Sequence, residues 1–202
     1  YVSELVVKRD WAGGAGVLRK IRRYQQKEGG AHMPSGLRFR AEKLYTRLDW
    51  SLPLAAAFIL TGIGGFLDAC RRMVRGRAFG AKTRGWLLAG VAAGGLYLTL
   101  MLALRGYVSG HWPVSNGYET MRFMAWCTLL LTLLFARRFL FLLPFGYLIA
   151  GLSLMVSMMG ESNPQITQLM PVLDSPLLCI HVMLVMVAYA LLAFVMFGGA
   201  AG

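Results

Sequence analysis

The chain has 202 residues, 57% of them hydrophobic and 15% charged, where a soluble domain averages about 45–50% and about 25%. That balance excludes an ordinary water-soluble globule. Lys and Arg number 21 against 9 Asp and Glu, a net charge of +12, but the cations cluster before residue 48 and between residues 71 and 84 instead of lining one solvated face, so a nucleic-acid-binding domain is disfavoured.

Residues 1–48 mix charge, glycine and aromatics, and Gly29, Gly30, Pro34, Ser35 and Gly36 mark a break between two stretches that can each form a short helix. Val17 to Lys27 reads as a basic amphipathic helix on a membrane surface or as a nucleic-acid arm. The reading preferred here is the end of an extramembrane domain whose body lies upstream. The chain opens on Tyr without a signal-peptide pattern, as expected of a piece of something longer.

Five apolar runs follow. A helix crossing about 30 Å of hydrocarbon needs about 20 mainly apolar residues. The runs at 50–69, 86–104, 121–136, 139–159 and 177–197 meet or approach that requirement. Each is predicted to be a helix, because lipid cannot satisfy an open strand edge. The expected fold is therefore an all-α polytopic membrane protein with about five spans (residues 49–202) and a basic N-terminal extramembrane segment (1–48). The short connection at 71–84 holds six cations and the third connection holds Arg137 and Arg138, whereas the stretches 106–120 and 160–176 have no Lys or Arg. The basic connections belong in the cytoplasm, which puts residues 1–48 outside despite their own charge.

Little conventional chemistry is legible. Cys70, Cys127 and Cys179 are odd in number, widely spaced and beside apolar runs, and read as packing residues. GxSxG, a Walker loop and HExxH are all missing from the sequence, so an autonomous hydrolase is disfavoured. Of the three histidines, His181 stands at the outer entry of the fifth run, about one turn past Pro176. Neutral imidazole ligates metals and haem iron, although a lone His among apolar residues is commonly only a satisfied interfacial residue.

The stretch GHWPVSNGYETMRF is the densest polar feature between runs. Ser115, Asn116 and Gly117 suit a tight turn, Asn116 or Ser115 a helix cap, Trp112 and Tyr118 the headgroup level, and Glu119 the positive end of a helix. In the next outer loop Asp174 and Ser175 before Pro176 form a helix-start signal, which favours an anion or an ordinary cap. Asp68 and Glu161 read as boundary residues.

Taken together, LRFRAEKLYTRLDW, LALRGYVSGHWPVSNGYET and MPVLDSPLLCIHVMLVMVAYALLAF resemble the haem-handling membrane proteins of cytochrome c biogenesis, in particular the CcsA type of the bacterial system II pathway and its fused CcsBA form. The resemblance covers residues 33 to 197. It implies a protein of the bacterial inner membrane that carries haem b to an outer-facing site for thioether attachment to the CxxCH motif of an apocytochrome c. The intact protein would act as a holocytochrome c synthase. By the same resemblance His181 is an outer axial ligand of haem iron, and Ser115, Asn116, Tyr118, Glu119 and Asp174 support the outer surface. His111 receives no ligand role. Residues 1–48 match the end of a periplasmic CcsB/ResB-like partner or fused domain. The expected partners are haem, apocytochrome c and the lipid bilayer, and not nucleic acid.

The family's WGxxWxWD segment and its second outer histidine are not in the sequence, so this stretch would supply half of a ligand pair and be inactive alone. The alternative is a non-catalytic scaffold or permease-like subunit.

Overall fold

A computed structural model describes residues 9, 11–28, 36–76, 80–114, 116–136, 138–140, 142–159 and 176–201. Its elements are α1 (Trp11–Glu28), α2 (Gly36–Leu48), α3 (Ser51–Val74), α4 (Ala81–Ser109), α5 (Gly117–Phe135), α6 (Leu142–Met159) and α7 (Pro176–Ala201), with no strand among the described residues. Two compact units divide at Arg40 and Ala41. The composition changes only at residue 48, so Tyr45, from the basic stretch, folds with the second unit.

The second unit is an α-helical membrane bundle. Gly36–Val74, Ala81–Ser109 and Leu142–Met159 are long and apolar enough to cross a bilayer, and Ile180–Met196 is a shorter apolar helix. α5 carries Glu119 and Arg122 in its opening turns and is not among the helices that are long and apolar enough to cross. α3, α4 and α7 run on past the ends of the predicted spans and α5 starts four residues ahead of its span, whereas α6 starts three residues inside its own. Hydropathy marks the part that prefers lipid, while backbone bonding continues into the interface, so α3 runs on to Val74 and α4 on to Ser109. Asp68 lies inside α3, and its Oδ2 accepts from Arg72 Nε at 2.7 Å.

Local chemistry sets the ends. Pro53 is tolerated in the first turn of α3, where a missing N–H removes no helical bond. Gly110 ends α4 in the left-handed conformation (φ 76°), and its N–H bonds Gly106 O at 2.9 Å.

α6 is central. It packs on α3 and α5, α4 packs on α5, and α7 packs on α5 and α6. Of the apolar windows, 61% of Leu142–Met159 is buried against 22% of Gly36–Val74 and 33% of Ala81–Ser109, so the outer helices are the ones that face lipid. Small residues let α3 and α6 approach: a Cβ on Gly62 would fall 2.7 Å from Leu148 Cγ, and one on Gly151 2.8 Å from Ile59 Cγ1. The order of these contacts makes the two helices antiparallel. Phe58 and Tyr147 meet edge to face at 5.3 Å beside Leu98, Leu129 and Leu154.

The two ends of the bundle differ. One, formed by the end of α3, the start of α4 and the α5–α6 connection, presents Arg71, Arg75, Lys82 and Arg138 to solvent. The other carries exposed Trp50 and Trp112 and buries Arg105, Glu119 and Arg122, while Glu42, Lys43 and Arg47 of α2 stay exposed.

Candidate functional site: a buried arginine knot and the α7 histidine

Arg105, Glu119 and Arg122 lie within or beside apolar runs, where an ion must find a partner. Arg105 is the last cation of α4. Its Nε donates to Glu119 Oε1 at 2.6 Å, and the two side chains are 1% and 2% exposed. Arg122, one turn after Glu119 on α5, donates through Nη2 to Asp49 Oδ1 at 2.6 Å and also to Ser51 Oγ. Ser51 Oγ in turn donates to Asp49 Oδ1.

Tyr45 joins the two pairs. Its hydroxyl accepts from Arg105 Nη1 at 3.2 Å and from Arg122 Nη1 at 2.6 Å, and it stands 3.3 Å from the Tyr118 hydroxyl. Tyr118 donates onward to Asp49 Oδ2 at 3.3 Å. Both guanidinium groups lie against the tyrosine rings, Arg122 Cζ 4.7 Å and Arg105 Cζ 5.0 Å from the Tyr118 centroid. Two cations and two carboxylates cancel, which is how four charges are accommodated out of water. Arg122 Nε is the one buried side-chain nitrogen or oxygen among the described residues that has no hydrogen-bond partner. Alongside, the Tyr97 hydroxyl donates to Leu48 O at 2.8 Å and accepts from Trp50 N–H at 2.9 Å, fixing the short link from α2 to α3.

The outer-loop residues separate in role. Asn116 caps α5, its Oδ1 accepting from Glu119 N–H at 2.9 Å. Tyr118 is 5% exposed and belongs to the knot, not to a headgroup belt. Glu119 stands in the first turn of α5, at the positive helix end as expected, and its buried carboxylate also closes the α4–α5 turn on Arg105. His111 lies in that turn, its Nδ1 3.0 Å from Trp112 O. Ser115 and Asp174 fall outside the described residues, as do Glu161 and His32.

His181 stands apart from the knot, in the second turn of α7, with its side chain exposed. Leu177 and Leu184, one turn before and after it, are 78% and 65% exposed, which makes an apolar surface around the imidazole. Among the described residues no cluster of three His, Cys, Asp or Glu could hold a metal ion. Of the cysteines whose side chains are described, Cys127 is buried, Cys70 is half-buried in α3, and neither is in a disulfide.

Tyr45, Asp49, Ser51, Arg105 and Arg122 did not emerge as site residues from the sequence. Their signal was present in Arg105 and Arg122, two cations lodged against apolar runs on the side poor in Lys and Arg, for which a carboxylate partner should have been sought.

Residues 114–201 match the family model described as cytochrome C assembly protein. The chain is similar to Protein NrfI of Wolinella succinogenes, with 34% identity over 188 residues, or 90% of this chain and 20% of that protein. It is also similar to the cytochrome c biogenesis protein CcsA of Chlamydomonas reinhardtii (38% over 104 residues; 48% of this chain, 30% of the relative) and to that of a Synechococcus species (33% over 117 residues; 55% and 38%). The chain thus spans between a fifth and two fifths of these curated relatives. The matched region contains the capped start of α5, α6 and the histidine-bearing start of α7, and over it the chain is similar to cytochrome c assembly proteins of the CcsA type.

Proposed function

We propose that this chain is part of a membrane protein of cytochrome c biogenesis that exports haem b and presents it for covalent attachment to the CxxCH motif of an apocytochrome c. The observation that carries the reading is the coincidence, within residues 114–201, of the family match with an exposed imidazole on an apolar helix. His181 would hold haem iron through one ring nitrogen, and the exposed leucines around it would cover part of the porphyrin face. A second ligand would come from polypeptide outside this sequence. The thioether bonds form when each apocytochrome thiol adds across a haem vinyl group, so the chain's own task is to hold and orient the macrocycle.

The cationic end of the bundle would face the cytoplasm of a bacterium and the knot end the periplasm, following the bias of Lys and Arg in short connections. Residues 1–48 would then be periplasmic, as the end of a CcsB/ResB-like partner or fused domain.

The test is His181→Gly in the full-length protein, with haem absorbance after purification and yield of c-type cytochrome as readouts. Haem content and cytochrome yield should both fall, and added imidazole should restore the haem spectrum. Unchanged haem with an unaltered spectrum would remove His181 from the site and leave a scaffold or permease-like subunit as the better reading.

A further inference from the structure

α1 is the most amphipathic of the seven helices, and none of its described side chains is buried. The helical period places Trp11, Leu18, Ile21 and Tyr24 in one sector, at 68%, 58%, 41% and 69% exposure. Arg19, Lys20, Arg23 and Lys27 occupy the opposite sector, all exposed, and Arg22 sits on the border beside Leu18. The one acidic residue of the helix is Glu28, at its last position.

An apolar sector of this size is disfavoured in water, and the cationic sector needs counter-charge. A nucleic acid would answer the cations and leave Trp11, Leu18 and Ile21 wet. An apolar protein groove would cover those residues and leave the cations unanswered. An anionic lipid surface answers both at once, with the apolar sector below the phosphates, Trp11 and Tyr24 at headgroup level and the cations among the headgroups. The chain is committed to a bilayer from α3 onward, so such a surface is always at hand.

We propose that α1 is an interfacial helix that binds anionic phospholipid. The attraction of its cations acts within about 8 Å at physiological salt, so the contact should weaken as salt rises.

The test uses the whole chain in lipid nanodiscs, with Cys70, Cys127 and Cys179 replaced by Ala. A nitroxide is attached at Leu18→Cys in one sample and at Lys20→Cys in another. In discs of phosphatidylcholine with phosphatidylglycerol, oxygen should reach the label at position 18 several-fold better than a water-soluble nickel chelate, with the reverse preference at position 20. The contrast should shrink in discs of phosphatidylcholine alone and in the Arg19→Gln, Arg23→Gln, Lys27→Gln variant. Four results would overturn the proposal: equal access of nickel at both positions in every disc, lipid contact indifferent to headgroup charge, a position 18 shielded from both reagents as by a protein surface, or release of α1 from the lipid when DNA is added.

Discussion

Arg105, near the end of α4, and Glu119, in the first turn of α5, are joined at 2.6 Å across the turn that connects the two helices, with each side chain at most 2% exposed. A pair so buried closes the loop between them as a cross-link would, because opening it strands a charge away from water. The second pair, Arg122 with Asp49, does the same for the entry to α3, and Tyr45 bonds both arginines. The ends of four helices, α2 to α5, are thus tied at the mouth where the family-matched region begins.

Removing both members of the first pair should cost clearly less than the two single removals added together. Glu119→Gln or Arg105→Gln alone should lower stability by about 3 kcal/mol, and the double variant by clearly less than the sum. Unfolding midpoints of the four proteins in one detergent measure the coupling. Additive effects would mean that the pair contributes nothing jointly.

Tyr45 and Tyr118 should not be equivalent. Tyr45→Phe removes the hydroxyl that accepts from both guanidinium groups, and about 1–3 kcal/mol should be lost. Tyr118→Phe loses only contacts of 3.3 Å and keeps its ring against Arg122, so its cost should be below about 1 kcal/mol. The order of the two thermal midpoints decides the matter.

The helices were legible in the sequence because an uninterrupted apolar run has few alternatives at that length, and the cap at Asn116 was legible because capping is local. The knot was not. Its partners are separated by tens of residues, as Asp49 is from Arg122, and a lone arginine beside an apolar run looks like the mark of a helix end. Glu119 hid its partner for the same reason: at a helix start a carboxylate has a sufficient local explanation in the dipole, and only the fold brings Arg105 to it. Glycine was ambiguous too, since Gly62 and Gly64 look alike in sequence, yet only the first faces another helix.

That contrast gives a paired experiment. A Cβ on Gly62 would lie 2.7 Å from Leu148 Cγ and 2.9 Å from the Leu148 backbone nitrogen, so α3 and α6 must move apart. Gly62→Ala should cost about 1–3 kcal/mol. A Cβ on Gly64 meets nothing within 4 Å, so Gly64→Ala should be neutral or slightly stabilising, since alanine is the better helix former. Equal effects on the unfolding midpoint would argue against the close approach of these helices.

Asn116 links the cap to the knot, because the amide it accepts belongs to Glu119, whose carboxylate holds Arg105. Asn116→Ala removes the acceptor and should lower stability by about 1 kcal/mol. Asn116→Asp keeps an acceptor oxygen but adds a negative charge one turn from Glu119, so it should recover most of the cap and not all of the stability. Hydrogen exchange separates the two effects. In Asn116→Ala the Glu119 amide should exchange faster while amides in the middle of α5, such as Leu129, stay protected. In Asn116→Asp the Glu119 amide should stay slow. Fast exchange throughout α5 in the alanine variant would mean that the cap holds the whole helix and not merely its first turn, and an unchanged Glu119 amide would mean that the knot alone fixes the start of α5.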